Sequence, residues 1–193
     1  MIDPVFIFRG GVMETVKEKK QAGKNEMQTM MEAYEKLATP GEPHKLLAKM
    51  EGVWITKSKM WMDPSMPPEE STGTTDNKML YSGRFLHMEY TDSMRGTPVA
   101  GMVIMGYDNH TKKYITASLG SMGTGIFMFE GPESADGMTI IQENHYNEPV
   151  MGPMTYRAVT KIVDENTYTF EMTGMDKSGK EMKMMETTYI RKK

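Results

Sequence analysis

Two histidine–glutamate pairs, His87-x-Glu89 and Glu143-x-His145, are the first residues that could do chemistry. Residues two apart in an extended chain project to the same side, so each pair offers an imidazole beside a carboxylate. Two such pairs facing one another would suit a borderline divalent ion with an activated water. On that alternative the chain is a metal-assisted hydrolase or isomerase whose His87, His145 and Glu143, with Glu89, lie inside the fold. The opposing reading is that both pairs are solvated. The other side of the first segment carries Arg84, Leu86, Met88 and Tyr90, and that of the second carries Met138, Ile140 and Tyr146. The more polar face of a strand ordinarily looks at water. His44 falls on a short helix and His110 in a turn, where solvated side chains are expected.

Methionine is the second signal, with 24 in 193 residues. Thioethers suit Cu(I), but Met102/Met105, Met151/Met154 and Met172/Met175 are spaced to reach opposite faces of a strand. Only Met60/Met62 and Met182/Met184 share a face, so the pattern is that of a wall rather than a ligand set. In "MEGVWITKSKMWMDPSMPPEE", residues 50–70, alternation sends Trp54, Thr56, Ser58, Met60 and Met62 one way. Val53, Ile55, Lys57, Lys59 and Trp61 go the other. Small hydroxyls with thioethers fill a dry core poorly and line a cavity well. The competing reading is ordinary core, since methionine also serves as a gap-filler.

Other chemistries find no support. The chain has no cysteine, which excludes disulfides, thiolate metal sites and cysteine nucleophiles. There is no G-x-S-x-G, P-loop or G-x-G-x-x-G motif. A net charge of -3 gives no electrostatic reason to expect nucleic acid. No apolar run is long enough for a membrane span. The start, "MIDPVFIFRGGV", lacks the basic and apolar regions of a signal peptide. Cytoplasmic location is therefore expected, or export if a signal peptide has already been removed.

The elements that must carry these residues are mostly strands. Met27, Met30, Met31, Tyr34 and Ala38 follow helical spacing, and Thr39-Pro40-Gly41 ends that helix. A second short helix is expected over 43–50. Ten strands follow, at 53–62, 72–81, 84–94, 98–107, 112–119, 124–130, 138–146, 154–163, 167–174 and 181–191. They are separated by turn signals such as Ser82-Gly83, Arg95-Gly96 and Asp136-Gly137. Short consecutive strands joined by tight turns predict an antiparallel meander, closed into an up-and-down barrel that leaves no edge exposed. The expected organisation is a flexible segment or non-native leader over 1–24, helices packing on the barrel over 25–50, and the barrel over 51–193.

The motifs "PHKLLAKMEGVW", "SGRFLHMEY", "MGYDNHTKKY", "SMGTG" followed by "FEG", "KIVDENTYTFEM" and "GKEMKMMETTYIRK" stand in order along the chain. From Pro43 to Arg191 the chain resembles a bacterial domain-of-unknown-function family (1579) of calycin, lipocalin-like β-barrels. The resemblance implies a structural pair, Trp54 with Arg191 stacked on its ring. It also implies a small, largely apolar or amphipathic ligand inside the barrel, with Arg84, Glu89, Tyr107, Met122 and Glu171 joining Ser58, Met60 and Met62 along the lining. Leu119 and Gly120 stand where similar proteins carry an aromatic and an aspartate, which implies a changed ligand. Nitrobindin-like haem binding needs a late histidine, and none follows His145; no cofactor is expected. A third reading makes the Met-rich helix a docking face for a partner or for a second copy in a homodimer.

Overall fold

The computed structural model describes residues 16–176 and 178–193, with side chains from residue 23 onward. The chain divides into two units, Met1–Thr39 and Pro40–Lys193. The first contains α1, Val16–Ala38. Its periodic stripe of Met27, Met30, Met31 and Tyr34 is exposed. The expectation of a flexible 1–24 lies outside the described residues for 1–15, and 16–24 belong to α1. No described helix is long and apolar enough to cross a membrane.

The second unit opens with α2, Glu42–Ala48. Pro43 takes a first-turn position where a missing N–H is harmless. Ten strands follow: β1 Gly52–Met60, β2 Glu69–Leu80, β3 Phe85–Met94, β4 Thr97–Asp108, β5 Lys113–Gly120, β6 Phe127–Pro132, β7 Thr139–Glu148, β8 Gly152–Asp164, β9 Thr167–Asp176 and β10 Glu181–Arg191. Each pairs antiparallel with its neighbours in sequence, and β1 pairs with β10, so the sheet is a closed up-and-down barrel. The turns account for the register. Arg95 and Gly96 sit at φ 50 and 74, the left-handed pair that a two-residue hairpin requires.

Most boundaries shift by one to three residues from the sequence reading, and two of the shifts have a local cause. β1 ends at Met60 rather than at residue 62. Beyond it Asp63 accepts both the backbone N–H and the hydroxyl of Ser65, at 2.8 and 2.7 Å, and this local turn competes with further pairing. β6 begins only at Phe127, after the glycines at 123 and 125 that weaken a strand.

One end of the barrel is closed. Leu46 and Leu47 of α2, with Met50, are buried in a cluster with Trp54, Leu86, Tyr107, Tyr114, Ile140, Ile162 and Tyr168. The loops at the other end, β1–β2, β5–β6 and β7–β8, expose Met62, Met66, Met122, Ile126, Val150 and Met151.

Candidate functional site

The closed end is a floor built around Trp54. Its indole N–H donates to Met50 O at 2.9 Å, and its ring meets Tyr168 edge-on at 4.7 Å. The Arg191 guanidinium lies over the same ring at 4.0 Å. Arg191 donates to the carbonyls of Glu165, Glu51 and Lys49 at 2.8, 2.7 and 3.0 Å. These bonds tie the last strand to the α2–β1 connection and to the β8–β9 turn. Asn77, almost fully buried, donates to Met50 O at 2.8 Å and to the Tyr168 hydroxyl at 3.1 Å, and it accepts the Thr75 hydroxyl at 2.7 Å. Its amide is thus satisfied within the floor. On α2, burial holds the His44 imidazole below its ordinary value, with Arg84 pushing the same way. The His44 Nδ1 accepts the Gly41 N–H at 3.0 Å.

Above the floor lies a cavity of about 470 Å³. Its wall alternates thioethers and rings with hydroxyls: Met60, Met88, Met105, Met172, Phe129 and Phe170 beside Thr56, Ser58, Thr116, Thr160 and Thr187. Several polar groups are satisfied within the wall. Ser58 and Thr187 share a hydrogen bond of 3.1 Å, and Thr116 donates to Gln142 Oε1 at 2.8 Å. A β-bulge between Lys183 and Met185 gives β10 an extra residue, so that the consecutive Met184 and Met185 both reach the cavity. The interior phenols are held protonated. Burial raises Tyr189, with the neighbouring Tyr90 and Asp92 adding to it, and burial raises Tyr156, whose hydroxyl donates to Glu148 at 2.6 Å.

The β6–β7 seam is unusual. Its backbone ladder has a single paired position, Glu130 with Glu143, plus an isolated bridge from Glu133 to Ile140. Inward amides take over: Gln142 donates to Phe129 O at 3.3 Å and Asn144 to Met128 O at 2.6 Å.

The expected site residues fall into separate places. Ser58, Met60 and Met122 line the cavity. Arg84 and Tyr107 belong to the closed end instead. Arg84 donates to Tyr81 O at 2.8 Å, and Tyr107 packs against His44 and Tyr114 while donating to Glu133 at 3.2 Å. Those two are corrections, and three more residues leave the lining. Met62 lies past the end of β1 and is exposed. Glu89 and Glu171 are exposed on the outer faces of β3 and β9, because their strands send the alternate residues Met88 and Tyr90, or Phe170 and Met172, inward. The metal arrangement is corrected by the same parity. His87 and Glu89 approach each other at 3.8 Å on the outer face of β3, while Glu143 and His145 are exposed on β7. In the barrel β4, β5 and β6 separate these two strands, and no metal-holding group of three His, Asp or Glu forms among the described residues. The cavity also takes in Asp92, Tyr90, Tyr189 and Gln142, which the sequence analysis does not assign to the site. The first two were open to it, since they continue the inward parity of Leu86 and Met88.

The chain matches the family described as protein of unknown function (DUF1579) over residues 39–191, and it belongs to that family. No curated protein matches it. Among solved structures, the S-type phycobiliprotein lyase CPES from Guillardia theta aligns with a TM-score of 0.55 at 12% identity, over 79% of this chain and 96% of that one. Rv2717c from M. tuberculosis aligns with a TM-score of 0.57 at 11% identity, over 80% of this chain and 100% of that one. At such identities the likeness is one of fold, a lipocalin-like barrel.

Proposed function

Starting from a DUF1579 chain folded as a lipocalin-like barrel, we propose that the protein binds a small, largely apolar molecule in a methionine-lined cavity. The observation that carries this reading is the interior of about 470 Å³ above a closed floor. That volume falls within the range of about 300–1,000 Å³ usual for small-molecule pockets. A barrel built for packing alone would fill the space with branched aliphatic side chains. Here flexible thioethers, which adapt to an irregular guest, alternate with hydroxyls that can fix its orientation. The exposed apolar residues of the mouth-end loops, Met122 and Ile126 among them, offer an apolar approach to the cavity.

The test is native mass spectrometry of the freshly purified full chain. A mass excess lost on denaturation supports the reading, and its chemistry names the guest. Met60→Trp places a large ring at the wall. It is expected to weaken binding of that guest by about ten-fold or more while moving the melting temperature by only a few degrees. Equal damage to binding and stability would make Met60 ordinary core and count against the cavity.

A further inference from the structure

The cavity wall carries an unbalanced charge. Among its described lining residues are three carboxylates, Glu69, Asp92 and Glu148, and no lysine, arginine or histidine. Two of the three are committed. Glu148 accepts the Tyr156 hydroxyl at 2.6 Å, and Glu69 accepts the Arg95 backbone N–H and faces its guanidinium at 3.5 Å. Asp92 accepts the N–H of the adjacent Ser93 at 2.7 Å and, among the described residues, pairs with no cation. Arg191, the cation of the floor, is held by three backbone carbonyls beneath Trp54 and does not line the cavity.

The register puts aromatic faces near that free carboxylate. Thr91 pairs with Thr74, so Asp92 stands beside Gly73; Gly73 pairs with Thr56, Thr56 with Tyr189, and Tyr189 with Tyr168. Gly73 leaves the space that Asp92 uses, since a β-carbon there would come within 2.9 Å of the Asp92 Cγ. Only a glycine and a threonine therefore intervene between the carboxylate and the stacked Tyr168–Tyr189 pair, whose centroids are 4.0 Å apart. Tyr90, two residues from Asp92 on the same face, lies over Gly101 and Gly120, which have no side chains to cover its hydroxyl.

We infer that the ligand is an organic cation, an amine or quaternary ammonium with an apolar tail, whose head lies against Asp92, Tyr90 and Tyr189 and whose tail lies among Met88, Met105 and Phe129. The carboxylate supplies the opposite charge and the ring faces supply their quadrupole, in a cavity where water competes poorly. The protonated phenol of Tyr189 adds no second anion. A carboxylic acid would bring its charge to Asp92 with no cation to meet it, and so is selected against.

This inference rests on the ligand-binding reading above, and one titration series separates the two. The full chain is titrated calorimetrically with dodecyltrimethylammonium and dodecanoate below their micelle concentrations and with dodecanol below its solubility limit. The ammonium compound is expected to bind at least about ten-fold more tightly than the alcohol, and the acid more weakly than the alcohol. In Asp92→Asn the three affinities are expected to converge while the alcohol's stays unchanged. Dodecanoate binding as tightly as the ammonium compound overturns the charge inference and leaves the cavity reading standing. Binding of none of the three overturns both. If Asp92→Asn fails to fold, the order found for the unaltered chain decides alone.

Discussion

Replacing Gly52 with alanine adds one methyl group at the point where the barrel floor is clamped. Gly52 has φ 121, outside the range of L-residues, and holding alanine there costs about 1–3 kcal/mol. The new β-carbon would fall 2.6 Å from Arg191 Nη1. The guanidinium must then yield, although it is held by the carbonyls of Glu165, Glu51 and Lys49 and stacked on Trp54. Losing one such charge-assisted hydrogen bond costs about 1.5–3 kcal/mol. Together the two effects come to roughly 2.5–6 kcal/mol, a large part of the 5–15 kcal/mol typical of a domain. At about 2–4 °C per kcal/mol for a chain of this size, the melting temperature should fall by roughly 5–24 °C. Urea denaturation should show a lower midpoint with an unchanged slope. The decisive experiment is the double-mutant cycle with Arg191→Ala. Once the guanidinium is gone the methyl meets no obstacle, so only backbone strain remains, and a coupling energy of at least about 1 kcal/mol is expected. Additivity within about 0.5 kcal/mol would refute the claim that the Arg191 guanidinium opposes a side chain at residue 52.

Three other predictions concern the floor, the interior and the seam. Trp54→Ala should destabilise the barrel by about 3–5 kcal/mol in thermal or urea denaturation, and an unchanged melting temperature would remove Trp54 from the floor. Tyr114, Tyr156, Tyr168 and Tyr189 all have phenols raised above the ordinary value, chiefly by burial. The folded state therefore keeps protons that the unfolded chain releases near pH ~10. This stabilisation is full below that pH and is lost as pH rises toward the folded values, so stability should fall between pH ~10 and ~12; a flat profile there would contradict the burial of these phenols. At the seam, Gln142→Ala combined with Asn144→Ala should raise amide exchange in β6 by about ten-fold and spare β1, whereas uniform acceleration would mean that the amides support the whole barrel.

Strand order was legible because the signals were local. Alternation and turn residues recur along the chain, and ten predicted strands become the ten observed ones with shifts of a few residues. The site was legible only where parity was followed. On β1 the alternation places Trp54, Thr56 and Ser58 inside, and they are buried. Glu89 and Glu171 came from motif position instead, and parity sends both outward. Asp92 continues the inward parity of β3 two residues beyond Tyr90, although a carboxylate near a strand end reads as solvated, and Gly73 across the ladder leaves it room at the wall. The seam was not legible at all, since no local pattern says that Gln142 and Asn144 will replace a backbone ladder.

The uneven use of methionine follows from what each level of the barrel must do. The floor has to be unique, and it is made largely of residues with few low-energy rotamers or with satisfied polar tips: Leu46, Leu47, Leu86, Ile140, Ile162, Trp54 and Tyr168. Met50, Met88 and Met105 also belong to this cluster, and Met50 has the most fixed place. Its side chain is fully buried there, and its carbonyl accepts hydrogen bonds from both Trp54 and Asn77. Higher up, the smaller wall cluster of Phe129, Met154, Tyr156 and Ala158 is flanked by Met172, Met182 and Met184, and Met62, Met66, Met122 and Met151 are exposed beyond it. A thioether chain has three rotatable bonds and loses little by changing rotamer. On the reading proposed above, the wall must close around a guest and re-form when it leaves, and Leu or Ile would do this at the cost of strain or a void. The Arg191 clamp holds the carbonyls of Lys49 and Glu51, which do not line the cavity, whereas Met50 and Tyr168 belong to both floor and lining, so the floor fixes the base on which the wall can move.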